Sequence, residues 1–254
     1  MSYVDLHSHL LPGLDDGAAD LEASVEHART LHAQGVRDVA CTPHIKRADF
    51  PGIRIDELAD RRAETQRAIA DAGLDVRLHP GGELAHPDAL RLDDDDFTLI
   101  AQGPEHARWL LLEVPFAGVD DDFLAAADRL DDLGYGLLLA HPERSYGLVR
   151  DGTPDALRPL LDRGARLQVN VSSLLGRHGP VAQDGAFDLV RGGLAHCLAS
   201  DGHPGTRDDT LHDGFWVVTR RMAMTWSEAT RLTQSGARGL LEHGLPSAPV
   251  AVAA

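Results

Sequence analysis

Hydrophobic positions along the chain fall into short apolar runs, separated by longer stretches in which apolar residues recur every three or four positions. The runs read as strands at Tyr3 to Leu6, Asp38 to Thr42, Val76 to Leu78, Trp109 to Leu112, Gly136 to Ala140, Arg166 to Val171 and Ala195 to Ala199. Trp109 to Leu112 and Gly136 to Ala140 are apolar at nearly every position, as strands buried on both faces are. Between the strands, Leu21, Val25, Ala28 and Leu31 share one face of a helix from Leu21 to Ala33, with Gly35 as its stop. A long polar helix is expected from about Ile55 to Ala72, closed by Gly73. Another runs through Phe123, Leu124, Ala127, Leu130 and Leu133 to Gly134. Helices over 154–163, before Ala195, and over 208–222, 227–234 and 237–243 complete the pattern. The acidic run Asp93 to Asp96 reads as a solvated turn. Strand and helix thus alternate about seven times, which argues for parallel β/α units. One domain over 1–245 is expected, with 246–254 as a flexible tail.

At 254 residues the chain has the length of a single-domain α/β barrel. Its formal net charge of -16 argues against nucleic-acid or anionic-membrane partners, which demand Lys and Arg patches. Clustered carboxylates answering to bound cations account for part of such an excess. No signal peptide and no apolar stretch of spanning length is seen, so the chain is not expected to insert in a membrane. Two cysteines make no disulfide framework, and a reducing cytoplasm is the simple inference.

The chemistry lies at the strand ends. Six of the seven expected strands run into a His, Asp or Glu: His7 and His9, His44, Glu83, Glu113, His141, and Asp201 with His203. In parallel barrels the carboxyl ends of the strands carry the active site, so ligands scattered along the chain converge in space. His7 and His9, two apart on a strand, aim their imidazoles the same way. With Asp16 added, the set holds five histidines and four acids, too many for one tetrahedral site and suited to two or three metals. Taken singly, each could equally cap a helix or face solvent. The remaining histidines (His27, His32, His79, His86, His106, His178, His196, His212 and His243) fit no strand-end pattern and read as surface or packing residues. Arg144 and Arg207 follow proposed ligands closely, where a guanidinium fork binds phosphate oxygens or, as readily, closes a loop salt bridge. Cys41 and Arg47 have the spacing of a cysteine phosphatase loop, but Pro43 removes an amide donor, no glycine is present, and Cys41 sits in an apolar strand. Cys41 and Cys197 therefore read as small buried hydrophobes.

Several segments carry a resemblance: Asp5-Leu6-His7-Ser8-His9 with Asp15-Asp16-Gly17, Thr42-Pro43-His44, Gly82-Glu83, Leu112-Glu113-Val114-Pro115, Ala140-His141-Pro142-Glu143-Arg144, the stretch Gln168 to Gly176, and Ala199-Ser200-Asp201-Gly202-His203. From Asp5 to about Gly239 the chain resembles the polymerase-and-histidinol-phosphatase (PHP) superfamily. Within it, the likeness is to the manganese-dependent protein-tyrosine phosphatases of bacterial capsule and exopolysaccharide loci. The resemblance implies a distorted seven-stranded β/α barrel, similar to a TIM barrel, with three metals. One metal would take His7, His9, Glu83 and Asp201, a second Glu83, Glu113 and His141, and a third Asp16, His44 and His203. It also implies phosphate binding by Arg144 and Arg207. Mn²⁺ is the metal expected, with Fe or Zn as alternatives, since mixed imidazole and carboxylate ligands accept all three. This chain departs from the family pattern in the loop Ile45 to Phe50, less aromatic than the family's, and in Ser145, which offsets Tyr146 by one residue.

The reaction expected is hydrolysis of a phosphate monoester by a hydroxide bridging two metals. The third metal, Arg144 and Arg207 would neutralise the phosphoryl oxygens, and His203 is a candidate proton donor. The substrate expected is phosphotyrosine on a protein, such as a tyrosine autokinase of polysaccharide synthesis. Alternatives are a histidinol-phosphatase or other small-molecule phosphoesterase, and a metal-stabilised barrel that acts by binding a kinase.

Overall fold

The computed structural model describes residues 2–151 and 153–246 of the chain, and all but Pro246 of the expected tail lies outside them. Among the described residues there are nine strands: β1 (Tyr3–Ser8), β2 (Val36–Cys41), β3 (His44–Ile45), β4 (Arg77–His79), β5 (Glu83–Leu84), β6 (Trp109–Glu113), β7 (Gly136–Ala140), β8 (Arg166–Asn170) and β9 (Ala195–Ala199). Every pairing between these strands is parallel. One sheet has the order β1-β2-β4 and the other β3-β5-β6-β7-β8-β9.

Two of the expected strands, Asp38 to Thr42 and Val76 to Leu78, are each followed after a break by a short strand that was not expected. Thr42-Pro43 separates β2 from β3, and Pro80-Gly81-Gly82 separates β4 from β5. Proline has no amide to give to a ladder, so pairing stops there and resumes beyond it. Pro43 still serves the ladder as an acceptor, because the Glu83 amide donates to its carbonyl at 3.0 Å. Both breaks fall just before a candidate ligand and leave His44 paired in register with Glu83.

The first and last strands meet at their carboxyl ends. The Asp201 amide donates to the His7 carbonyl, and the His9 amide to the Gly202 carbonyl, both at 2.9 Å. The buried Asp5 side chain reinforces the seam by accepting from the Ser200 amide at 3.1 Å. Val4 and Leu6 of β1, Leu111 of β6, Leu138 of β7 and Cys197 of β9 pack in one small apolar cluster. Ala237 and Leu240 of the helix Gly236–His243 close the foot of that cluster, where the Trp109 indole donates to the Leu240 carbonyl at 3.0 Å. A second, larger core lies between the strands and the surrounding helices.

Side chains cap the starts of several helices. Asp20 accepts from the Ala23 amide ahead of the helix Leu21–Ala33, and Asp120 from the Phe123 amide ahead of Asp121–Asp132. The run Asp93 to Asp96 departs from the expected solvated turn. Asp93 accepts from the Asp96 amide at 3.0 Å and caps a helix, Asp94–Ile100, whose Phe97 and Ile100 are buried. Carboxylates at a helix N-terminus meet the positive end of its dipole, so the charge run favours that helix start. Toward the end of the chain, Trp226–Thr230 passes through a π-helical stretch, Arg231–Ser235, directly into Gly236–His243, where two separate helices were expected.

Candidate metal centre

The nine candidate ligands arrive from different elements. His7 and His9 sit at the end of β1, His44 opens β3, Glu83 opens β5, Glu113 ends β6, and His141 follows β7. Asp201 and His203 follow β9, and Asp16 lies in the loop after β1. Two of these residues hold left-handed backbone without being glycine: His141 at φ +37° and Asp201 at φ +50°. Such conformations are strained for a side chain with a Cβ and persist only where surrounding contacts impose them.

All nine come together in three overlapping groups, within each of which the ligand atoms lie no more than 4.8 Å apart. The first is His7, His9, Glu83 and Asp201, the second Glu83, Glu113 and His141, and the third Asp16, His44, His203 and His9. Glu83 joins the first two groups and His9 the first and third, so the nine residues form one continuous centre.

The contacts inside the centre suit cations better than they suit one another. The Nε2 atoms of His7 and His9 are 3.3 Å apart, each 3.4 Å from Glu83 Oε2, and 3.5 and 3.3 Å from Asp201 Oδ1. Ligand atoms held about 2.1 Å from a tetrahedral metal lie about 3.4 Å from one another. His44 Nδ1 and Glu83 Oε2 are 2.8 Å apart, yet both are buried and neither makes a hydrogen bond of acceptable geometry. Buried polar atoms left unpaired cost free energy, and atoms that crowd without aligning are what a shared cation would resolve. The donor set fits a multinuclear divalent site.

Neighbours fix the orientation of each imidazole. His7 Nδ1 donates to Gln168 Oε1 at 3.1 Å, and His9 Nδ1 to Asp15 Oδ2 at 2.8 Å. His203 Nδ1 donates to the Asp201 carbonyl at 2.9 Å. In all three, a hydrogen-bonded Nδ1–H leaves the Nε2 lone pair facing the centre, the tautomer a metal ligand needs. For His203 this arrangement places at the centre a lone pair and not a proton. Asp15 also accepts from the His44 amide at 2.8 Å and the Gly17 amide at 2.9 Å. Burial pushes the Asp15 carboxyl up, but the His9 imidazole and the His44 and Gly17 amides together outweigh that and hold it down at about 2. Gly17 leaves no room for a Cβ, which would collide with the His9 carbonyl.

The acids separate electrostatically. Burial pushes Glu83 and Asp201 up, yet the histidines around both, and Arg207 beside Asp201, hold their carboxyls well below the usual range. Glu113 goes the other way, raised to about 7 by burial and by the neighbouring Glu83 charge. Arg144 Nη1 donates to Asp201 Oδ2 at 2.8 Å, and Arg207 Nη2 lies 3.3 Å from Asp201 Oδ1. Both guanidinium groups line an open mouth of about 200 Å³ above the centre, together with Lys46, Phe50 and Phe116. The Phe50 ring stacks on His44 with centroids 5.1 Å apart, so the loop from Ile45 to Phe50 forms one rim.

Several residues of the site were not singled out in the sequence. Asp15 adjoins Asp16 but serves the imidazoles from behind. Gln168 and Asn170 lie on β8, the one expected strand without a terminal His, Asp or Glu; Gln168 holds His7, and Asn170 Nδ2 donates to Asp201 Oδ2 at 2.8 Å. Their signal was two polar residues, two apart, in a strand otherwise apolar toward its end. His178, read as a surface or packing residue, stands beside Arg144 in a cleft next to the mouth. Cys41 is buried in β2, where burial pushes its thiol up to about 12. It is no nucleophile, and Arg47 turns away toward Asp96.

Comparison with known proteins places this geometry. A family model described as capsular polysaccharide synthesis, CpsB/CapC, matches residues 3–241. The chain is 31% identical over 222 residues to the tyrosine-protein phosphatase YwqE of Bacillus subtilis, covering 85% of this chain and 84% of that protein. It is 28% identical over 200 residues to the putative tyrosine-protein phosphatase CapC of Staphylococcus aureus, covering 79% and 76%. Among solved structures it superposes with a TM-score of 0.78, at 25% identity and over the whole of both chains, on a protein from a study of YwqE from Bacillus subtilis and CpsB from Streptococcus pneumoniae. That study describes the two as metal-dependent tyrosine phosphatases.

Proposed function

This chain belongs to the capsular polysaccharide synthesis family CpsB/CapC, and from that premise we propose that it is a metal-dependent phosphomonoesterase acting on phosphotyrosine in proteins. The observation that carries the proposal is the continuous centre of nine ligands opening into a mouth flanked by two guanidinium groups. His7, His9, Glu83 and Asp201 would hold one cation, Glu83, Glu113 and His141 a second, and Asp16, His44 and His203 a third. Mn²⁺ is the metal we favour, because imidazole and carboxylate together suit it, while Fe and Zn share the preference. Bound there, the cations would supply Lewis acidity and lower the pKa of water toward neutrality.

The chain's own residues do the rest. Arg144 and Arg207 rest on Asp201 and turn their remaining donors to the mouth, where they bind and orient the phosphoryl oxygens. Asp15, Gln168 and the Asp201 carbonyl hold three imidazoles in the ligand tautomer. A phenolate leaves readily, so the site does not depend on a strong general acid, in keeping with the His203 tautomer. No residue is phosphorylated on this path.

The fold supports the same reading. Counting β2 with β3 and β4 with β5, the strands make seven, and the seam between β1 and β9 closes them into a distorted β/α barrel with one domain over 1–245. No described helix is long and apolar enough to cross a membrane. We place the protein in the cytoplasm, with a tyrosine kinase of polysaccharide synthesis as its phosphoprotein partner.

The test is turnover by one preparation, stripped with chelator and reloaded with Mn²⁺, of a phosphotyrosyl peptide and of histidinol phosphate. The expected result is peptide hydrolysis that needs the metal and is mostly lost in His9→Ala and Glu113→Ala. Hydrolysis of histidinol phosphate alone would move the assignment to a small-molecule phosphatase. No metal-dependent hydrolysis of either would leave a metal-stabilised binding protein.

A further inference from the structure

Beside the mouth lies a second cleft, of about 130 Å³, lined by Phe116, Arg144, Tyr146, His178 and Ala182. Phe116 and Arg144 also line the mouth, so the two spaces share a wall. We propose that this cleft is an aryl subsite, which receives the ring of a phosphotyrosyl residue and gives the centre a preference for aryl over alkyl phosphomonoesters. The inference rests on the phosphatase reading above and adds to it the group that selects the substrate.

Its walls are mostly aromatic and apolar, with Arg144 as the one charged group among the lining residues named. The Arg144 guanidinium lies 4.9 Å above the centre of the Phe116 ring, which engages its flat face. Its Nη1 is committed to Asp201. Burial, with Arg144 and Arg207 nearby, pushes His178 down to about 4, so its ring is neutral at physiological pH. The phosphoryl group is therefore drawn to the mouth, where both arginines and the metal centre converge, and an uncharged ring to the cleft. Size agrees, since an apolar cavity of about 150 Å³ takes up benzene.

The surroundings leave apolar surface uncovered. Phe116 is 37% exposed and Tyr146 66%. Val181, which adjoins Ala182, is 52% exposed. Exposed apolar side chains gathered at a cleft mark a binding surface. The loops that carry the rings are laced together. The Tyr146 amide donates to the Phe116 carbonyl at 2.8 Å, and Ser145 Oγ to the Pro115 carbonyl at 2.6 Å. A Cβ on Gly147 would collide with the Ala117 carbonyl, so the close approach depends on glycine. Ser145, the residue that offsets Tyr146, is thus the tie that holds the cleft's shape, and a preformed cleft avoids the ordering cost of binding.

The experiment compares phenylphosphonate and methylphosphonate, neither of them hydrolysed, by calorimetry on Mn²⁺-loaded wild type, Phe116→Leu and Tyr146→Ala. In parallel, kcat/KM is measured for phosphotyrosyl and phosphoseryl forms of one peptide. The wild type is expected to bind phenylphosphonate about tenfold or more tightly than methylphosphonate, the scale of one aromatic contact plus ring burial. Phe116→Leu should remove most of that ratio and raise KM for the phosphotyrosyl peptide more than it changes kcat. Tyr146→Ala, a truncation at an exposed position that leaves the fold intact, should lower the ratio by a smaller factor. A ratio unchanged in both variants, or loss of affinity for both phosphonates alike, overturns the subsite. A wild type that prefers phenylphosphonate but hydrolyses neither peptide keeps the subsite and removes the phosphatase reading. One that hydrolyses both peptides equally well removes the subsite and keeps the phosphatase.

Discussion

Asp15 and Asp16 stand side by side in the sequence and do different work. Asp16 Oδ1 faces the centre, 3.3 Å from His44 Nε2 and 3.1 Å from His203 Nε2. Asp15 points back and accepts a hydrogen bond from His9 Nδ1–H. Nothing in a tandem of acids tells which side chain faces a metal, because that depends on the turn through Gly13 and Gly17 that only the folded loop defines. Replacing a carboxylate that orients a ligating imidazole costs about 10–100-fold in metal affinity or activity. Asp15→Ala should therefore weaken Mn²⁺ binding by that order, measured by calorimetry, and weaken it more than Cys41→Ala does. The cysteine variant, which removes only a buried thiol, should keep full metal affinity and aryl-phosphate turnover. Loss of activity in Cys41→Ala with its metals bound would return the cysteine to the mechanism.

At the scale of elements, the parts legible in the sequence were those whose burial is the same on both faces. β6 and β7 are buried at every position, so their continuous apolar runs could be read directly. The two-residue strands β3 and β5 could not, because two residues have no period. They are placed by the prolines and glycines that interrupt the longer strands before them. The helix Asp94–Ile100 was hidden for another reason: its first turn is all acid, and only two of its side chains are buried. A tie at the opposite end of the strands from the metal centre was equally invisible, since it joins three distant segments. Asp38 of β2 accepts from His79 Nε2 of β4 at 2.9 Å and from Arg238 Nη2 at 3.1 Å. The His79 bond, ahead of Arg238, holds the Asp38 carboxyl below its usual value against burial. A carboxyl depressed in the folded state stabilises above its unfolded pKa and stops doing so as pH falls through the folded value. Asp38→Asn should thus cost about 1 kcal/mol at pH 7, and the difference from wild type should shrink below about pH 4 in denaturant titrations. A deficit that is the same at pH 7 and pH 3 would mean that shape, not charge, makes the tie.

The whole molecule carries a formal charge of -16, and four of its carboxylates, Asp16, Glu83, Glu113 and Asp201, converge on one centre with Asp15 behind them. Spread over the surface, such an excess would be moderated by solvent and salt. Gathered at the strand ends and mostly buried, the charge of these carboxylates is moderated by imidazoles, by Arg144, Arg207 and Lys46, and by whatever cations the centre takes. Arg144 and Arg207 are needed there in another capacity, because the donors they do not spend on Asp201 are the ones that would bind a phosphoryl group. Stability and function therefore meet in the same charges, and metal removal should be felt by the entire fold. A ligand that binds only the folded state at about 100 times its dissociation constant adds about 2.7 kcal/mol, or about 5–10 °C in Tm for a domain of this size. Chelation should lower the melting temperature by that order, readdition of Mn²⁺ should restore it, and raised ionic strength should recover part of the loss in the stripped protein. If stripping abolished turnover while the melting curve stayed in place at low and high salt alike, the carboxylates would have to be satisfied by the protein alone. The surplus negative charge would then need another explanation than a cation centre.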